Sequence, residues 1–173
     1  MDTRATVFAV GDLILGASDV RRHFDETRAV LRTGDVVIGQ IESPHTNAGH
    51  SIAHVLGGFY HIPHGFSCAY ALPEIVAFNA VALPEKTKWI GEQLGVHYSE
   101  QDTPDEIGEK TKAAMITFRD DVLNIKKANE FPNDPATFDN AAKAIASELF
   151  QCFNPVTMDV TQAKEILERI FGR

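Results

Sequence analysis

The stretch HSIAHVLGGFYHIPHG, residues 50–65, holds four of the seven histidines of the chain. His50 and His54 are four residues apart, so a helix puts them on one face. Gly57-Gly58 is expected to end that helix near Leu56. Pro63 biases Ile62 to extended backbone, and His64 follows at a fixed direction. A helix, a glycine break and a returning histidine can aim several imidazoles at one point. Neutral imidazole is the commonest protein ligand for iron, zinc and similar ions. The plainer reading is two polar residues sharing a helix face, and spacing alone does not separate the two. His61 reads as a polar loop residue, and His45 lies just upstream.

Before this stretch the pattern is that of buried strands. Residues 4–10, RATVFAV, are apolar and β-rich; Gly11-Asp12 follow, and the apolar run resumes through Leu13-Ile14-Leu15. Ser18 or Asp19 can cap a helix to about Arg32, with Val20, Phe24, Thr27 and Leu31 as its stripe. Thr33-Gly34 ends it, and Asp35 leads into a second buried strand over residues 36–42. The unit is β-α-β, and its crossover implies two parallel strands. A lone unit of this kind leaves both sheet edges open, so pairing between copies of the chain or cover from helices is expected.

After Gly49 the strand patterns stop and helical ones run to the end. A helix from near Gly65 to Asn79 carries Phe66, Ala69, Leu72, Ile75 and Val76, with a kink or break expected at Pro73. Leu83-Pro84 opens the next, whose expected buried edge is Trp89, Ile90 and Leu94. Thr103-Pro104-Asp105-Glu106 is a capping box, and from it Ile107, Thr111, Ala114, Phe118, Val122 and Ile125 form one stripe. Asp134-Pro135 starts a helix with Phe138, Ala141, Ala142, Ile145 and Leu149 in register. Asn154-Pro155 breaks it, and Asp159 with Gln162 can cap a last helix through Ala163, Ile166, Leu167 and Ile170. These stripes read as core.

The fold class is therefore mainly α: a helical bundle over residues 49–173 with a small β-α-β unit over residues 1–48. The chain has 173 residues, 44% of them hydrophobic, and a net charge of −8. That charge, with no Lys/Arg cluster, argues against a nucleic-acid partner. No apolar run is long enough for a membrane span, and no secretion signal is visible, so a cytoplasmic location is expected. Cys68 and Cys152 are too few and too far apart for a disulfide framework or a thiolate zinc site; both read as reduced, buried thiols.

Two resemblances extend this reading. His-x3-His-x2-Gly-Gly-x5-Pro-His-Gly, followed by Phe78-Asn79 and later by Cys152, Asn154-Pro155 and a final Ile-Leu helix, resembles the C-terminal domain of the iron-containing alcohol dehydrogenases over residues 49–173. The resemblance implies that His50 and His64 are metal ligands. It also implies that His54, one turn after the first, stands near nicotinamide and substrate as a proton relay. It implies Fe²⁺ (or Zn²⁺), NAD(P), and a small alcohol or aldehyde as substrate. That family completes its metal shell with an Asp-x3-His and binds nucleotide on a Gly-Gly-Gly-Ser loop. Asp19-x3-His23 has the first spacing in the wrong place, and the second is not in the sequence. Weak metal binding and an enzyme incomplete on its own are therefore expected.

Residues 5–49, with GDLILG and GDVVIGQIESPHTNAG, resemble the poly-γ-glutamate (capsule) biosynthesis family of metallophosphatase-like enzymes. There Asp12 and Glu42 would face a metal, while Gln40 stands where that family often has Asn. The alternatives to a dehydrogenase domain are thus a metallophosphoesterase using Asp12 and Glu42, or a structural module without chemistry. A junction near Ala48-Gly49-His50, natural or not, makes the chain read as chimeric or truncated.

Overall fold

The computed structural model describes residues 7–10, 36–39 and 47–173. The chain divides into two compact units, residues 1–46 and 47–173. In the first, β1 (Val7–Val10) pairs in parallel with β2 (Val36–Gly39), in a register that sets Val7 opposite Val36 and Val10 opposite Gly39. Parallel neighbours require a crossover between them. The helix expected from Ser18 or Asp19 to Arg32 lies outside the described residues, as do Asp12, Asp19, His23, Gln40, Glu42 and His45.

Residues 47–173 contain no strand and are built from six α-helices: α1 (Ala48–Tyr60), α2 (His64–Asn79), α3 (Pro84–Gln93), α4 (Pro104–Thr117), α5 (Phe138–Ser147) and α6 (Val160–Ile170). The change of hydrophobic period after Gly49 thus marks a change of architecture. None of the described helices is long and apolar enough to cross a membrane.

α1 starts at Asn47, whose Oδ1 accepts from the Gly49 N–H at 3.0 Å, the usual reason for Asn at a helix start. The helix does not stop at Gly57-Gly58. It runs through both to Tyr60 and ends at His61, which takes the left-handed conformation at φ 54°. The His61 N–H donates to the Gly57 carbonyl at 3.1 Å and the Ile62 N–H to the Leu56 carbonyl at 3.3 Å, the double closure typical of helix C-termini. A helical glycine costs only about 1 kcal/mol, and Tyr60 and Ile62, both buried, hold the extra turn in place. α2 likewise passes through Pro73 without a break. One missing N–H is tolerated because Tyr70, Ala71, Glu74 and Ile75 are buried on either side of it.

α1 packs along α2, and α5 and α6 close over them. Ile52, Leu56, Phe138, Ile145, Ile166 and Leu167 are fully buried between these four helices. Tyr60, Phe138 and Phe171 form a triangle of rings with centroids 4.9–5.9 Å apart, in the range where aromatic pairs attract. α4 starts on the expected capping box: Thr103 Oγ1 accepts from the Glu106 N–H, and Glu106 Oε2 from the Thr103 N–H. The expected capping box of Asp159 and Gln162 opens α6 in the same way.

Three stripes depart from expectation. α3 buries Thr87 and Gly91, which leaves Trp89, on the opposite face, 64% exposed. α4 gives way at Phe118 to a single π turn, Phe118–Val122, closed by the Leu123 N–H on the Phe118 carbonyl. Widening the turn rotates the stripe out of register, so Val122 is 56% exposed. α5 stops at Ser147, and a 3₁₀ segment, Leu149–Phe153, carries Leu149 to 73% exposure. The cysteines differ too: Cys68 is half-buried and Cys152 exposed, and neither forms a disulfide. Each sits near a helix end or on a rim rather than in the apolar centre.

Two buried polar contacts tie the helices together. Asn79, at the end of α2, and Asn154 exchange side-chain hydrogen bonds at 3.0 and 2.7 Å, and Asn154 also donates to the Val156 carbonyl. The buried Glu74 carboxylate of α2 accepts from Arg169 Nε of α6 at 2.8 Å, with Lys112 Nζ of α4 at 3.9 Å. α4 also comes close to the end of α2 at Gly108: a Cβ there would stand 2.9 Å from the Ala77 carbonyl oxygen and 3.0 Å from Ala80 Cβ.

Two stability predictions follow from these contacts. Asn154→Ala strands the buried Asn79 amide and should lower the unfolding free energy in urea by about 1–3 kcal/mol. Gly108→Ala should cost about 1–3 kcal/mol by forcing α4 off α2, whereas Gly58→Ala, where a Cβ meets nothing within 4 Å, should be neutral or stabilise by up to about 1 kcal/mol. Equal effects at the two glycines would mean that α4 is not seated on α2 as described.

Candidate metal centre

The short connection from α1 to α2 decides what faces what. α1 carries His50 and His54 one turn apart, and α2 begins at His64, with Cys68 one turn further on. Folding α2 back on α1 brings the three imidazoles into a triangle. Their centroids are 5.9 Å apart for His50–His54, 5.6 Å for His50–His64 and 5.9 Å for His54–His64. His50 is the floor, 8% exposed, while His54 and His64 stand at the open side.

Cys68 Sγ lies 3.5 Å from His64 Nε2. One donor atom each from His50, His64 and Cys68 all fall within 4.8 Å of one another. Two imidazoles with a sulfur beside them suit a borderline-soft divalent ion such as Zn²⁺ or Fe²⁺. The residues present therefore fit a first-row metal at His50 and His64.

His54 stands apart from this donor set. Its Nδ1 is 2.8 Å from Glu148 Oε1, between α5 and the 3₁₀ segment, and its ring meets the edge of Phe150 at a centroid distance of 5.5 Å. An ionised carboxylate can only accept, so the proton of this contact sits on His54 Nδ1. That leaves Nε2 as the acceptor of the neutral ring.

The structure thus brings together His50, His54 and His64. His61 goes instead to the C-cap of α1 with an exposed side chain. Two residues of the site escaped the sequence reading. Cys68 carries a signal, because His64-x3-Cys68 repeats the spacing of His50-x3-His54, but its apolar neighbours suggested a core thiol. Glu148 carries none, being 94 residues from His54.

Residues 38–171 match the Fe-containing alcohol dehydrogenase family, C-terminal. A 1,3-propanediol dehydrogenase of Klebsiella pneumoniae is 33% identical, over 60% of this chain and 30% of its own. Alcohol dehydrogenase 4 of Saccharomyces cerevisiae is 30% identical, over 70% of this chain and 31% of its own. A crystal structure of 1,3-propanediol oxidoreductase superposes with a TM-score of 0.62 at 26% identity, covering 72% of this chain and 32% of that one. The chain spans about a third of the length of these relatives. The match begins at residue 38 and so takes in Glu42 and the rest of residues 38–49, which the metallophosphatase-like resemblance had claimed; no comparison supports that resemblance. With its helical unit, its histidine triangle and a match over most of its length, the chain belongs to the Fe-containing alcohol dehydrogenase family, by that family's C-terminal part.

Proposed function

We propose that residues 47–173 form the metal-side half of an NAD(P)-dependent oxidoreductase for small alcohols and aldehydes. His50 and His64 hold Fe²⁺ or Zn²⁺, and His54 relays the proton. The observation that carries this reading is the convergence of three imidazoles from two helices, with the one outside the donor set held on a carboxylate. Relatives that carry the names alcohol dehydrogenase and 1,3-propanediol dehydrogenase support a small hydroxylated substrate.

His50 and His64 would hold the metal, which would supply Lewis-acid polarisation of the alcohol or carbonyl oxygen. His54 Nε2 takes the hydroxyl proton in oxidation and returns it in reduction. Glu148 keeps Nδ1 protonated, so Nε2 stays the acceptor, and it offsets the positive charge of the imidazolium that results, the role a carboxylate plays behind any catalytic histidine. Phe150 packs against the His54 ring in a T-shaped contact that helps hold its orientation. NAD(P) supplies the hydride acceptor or donor, as the family resemblance implies.

Two outcomes test this reading. The isolated chain, loaded with iron, should give no NADH from short alcohols and NAD⁺ above background. Positioning of the two reactants supplies about 7–11 kcal/mol of barrier lowering, and the sequence holds no Gly-Gly-Gly-Ser loop to position a dinucleotide. Steady turnover that disappears in His54→Ala would show that this chain binds dinucleotide by itself. The second outcome concerns the base. Nitrogen-15 NMR should find neutral His54 as the Nδ1–H tautomer in wild type and shifted towards Nε2–H in Glu148→Ala. An unchanged tautomer would remove Glu148 from the relay.

A further inference from the structure

The proton relay and the two metal-side histidines leave Cys68 unused. We propose that Cys68 Sγ is a third protein ligand, so that His50, His64 and Cys68 form a two-imidazole, one-thiolate site that prefers Zn²⁺ to Fe²⁺ and keeps one position open. The proposal rests on the reading of His50 and His64 as metal ligands and adds a donor to it.

Geometry is the first support. His64 and Cys68 occupy one face of α2, a turn apart, and their Nε2 and Sγ atoms are 3.5 Å apart. Across a tetrahedral zinc, a nitrogen at about 2.05 Å and a sulfur at about 2.3 Å lie about 3.6 Å from each other. His50 completes the set from α1, with all three donor atoms within 4.8 Å of one another. The second support is the division of the site: His54 is held on Glu148 and is not part of the triad. Adding sulfur therefore gives the shell a third protein donor without removing the base. The third is chemical. Thiolate is a soft ligand that selects zinc over harder-ligand iron sites, and three protein donors with an open fourth position are the pattern of catalytic zinc. Ligation releases the thiol proton to solvent. Cys152 offers no competing site, because its Sγ turns to the Leu149 carbonyl at 2.7 Å.

The test is cobalt spectroscopy on the chelator-stripped full chain. Co²⁺ at this site should give visible d–d bands and a near-ultraviolet thiolate-to-cobalt charge-transfer band. Cys68→Ser should keep the visible bands and lose the near-ultraviolet one, while Cys152→Ser changes neither. Zn²⁺ affinity of Cys68→Ser should fall by at least the roughly 10–100-fold that loss of an outer-shell partner costs. Circular dichroism checks that the variants fold. As a measurement needing no variant, stoichiometric Zn²⁺ should protect Cys68 from alkylation, and leave Cys152 reactive, in mass spectra of the wild type. Cobalt bound through His50 and His64 without the near-ultraviolet band would overturn Cys68 as a ligand and leave the two-histidine reading standing. No cobalt binding, or binding indifferent to His50→Ala with His64→Ala, would overturn both.

Discussion

The turn at residues 61–63 sets the position of everything the helical unit can do. His61 holds a left-handed backbone at φ 54°, which costs a residue with a Cβ about 1–2 kcal/mol. Two backbone hydrogen bonds and the burial of Tyr60 and Ile62 on either side offset that cost. Pro63 then fixes the backbone that starts α2. Each residue advances about 100° around a helix, so a one-residue change in this connection would carry His64 and Cys68 away from His50 together. The donor set is therefore a property of one helical hairpin, and its geometry is inherited from a turn rather than built side chain by side chain.

The rest of the unit serves to bring a second surface to that hairpin. Glu148 and Phe150 reach His54 from the chain just after α5. That segment is held because α5 packs on α1, because Gln151 Nε2 donates to the Ile145 carbonyl, and because Asn154 is locked to Asn79. A buried amide pair is satisfied in one arrangement only, and leaving either partner unpaired is costly. The Asn-Pro of the final loop, met in the sequence as part of a family resemblance, thus earns its place by packing and not by chemistry. Glu74, paired to Arg169 and near Lys112, does the same work between α2, α4 and α6.

The core was legible in the sequence because it rests on period. Phe138, Ala141, Ala142 and Ile145 on α5, and Ala163, Ile166 and Leu167 on α6, are buried where their spacing put them. The capping boxes at Thr103 and Asp159 were legible because they are chemical and local. Gly57-Gly58 misled because tertiary burial overrode a weak local preference, and α2 runs through Pro73 without the break that was one of its two expected outcomes. Trp89 misled because its helix is half-exposed and a two-residue offset selects the other face. The stripe through Val122 failed at the π turn, which no residue pattern announced. In the site, spacing put His50 and His54 on one face and allowed His64 to return to them, while their roles came from the family resemblance. Glu148 could not, since nothing near it in the chain refers to a histidine 94 residues away.

This difference in sequence distance also separates two parts of the proposed site. The donors of His50, His64 and Cys68 come from residues fewer than twenty apart on one hairpin, so their convergence needs only α1 to pack on α2. Orientation of His54 needs the C-terminal helices as well, because its carboxylate arrives only when α5 docks and the Asn79–Asn154 lock closes. His54 sits on the same face of α1 as His50 yet is held by Glu148, from the chain just after α5. A perturbation of the C-terminal part therefore disturbs the His54 orientation before it disturbs the His50, His64 and Cys68 cluster, whereas a change in the 61–63 turn disturbs that cluster first. The metal affinity and proton transfer proposed for this histidine cluster are thus anchored to different parts of the fold.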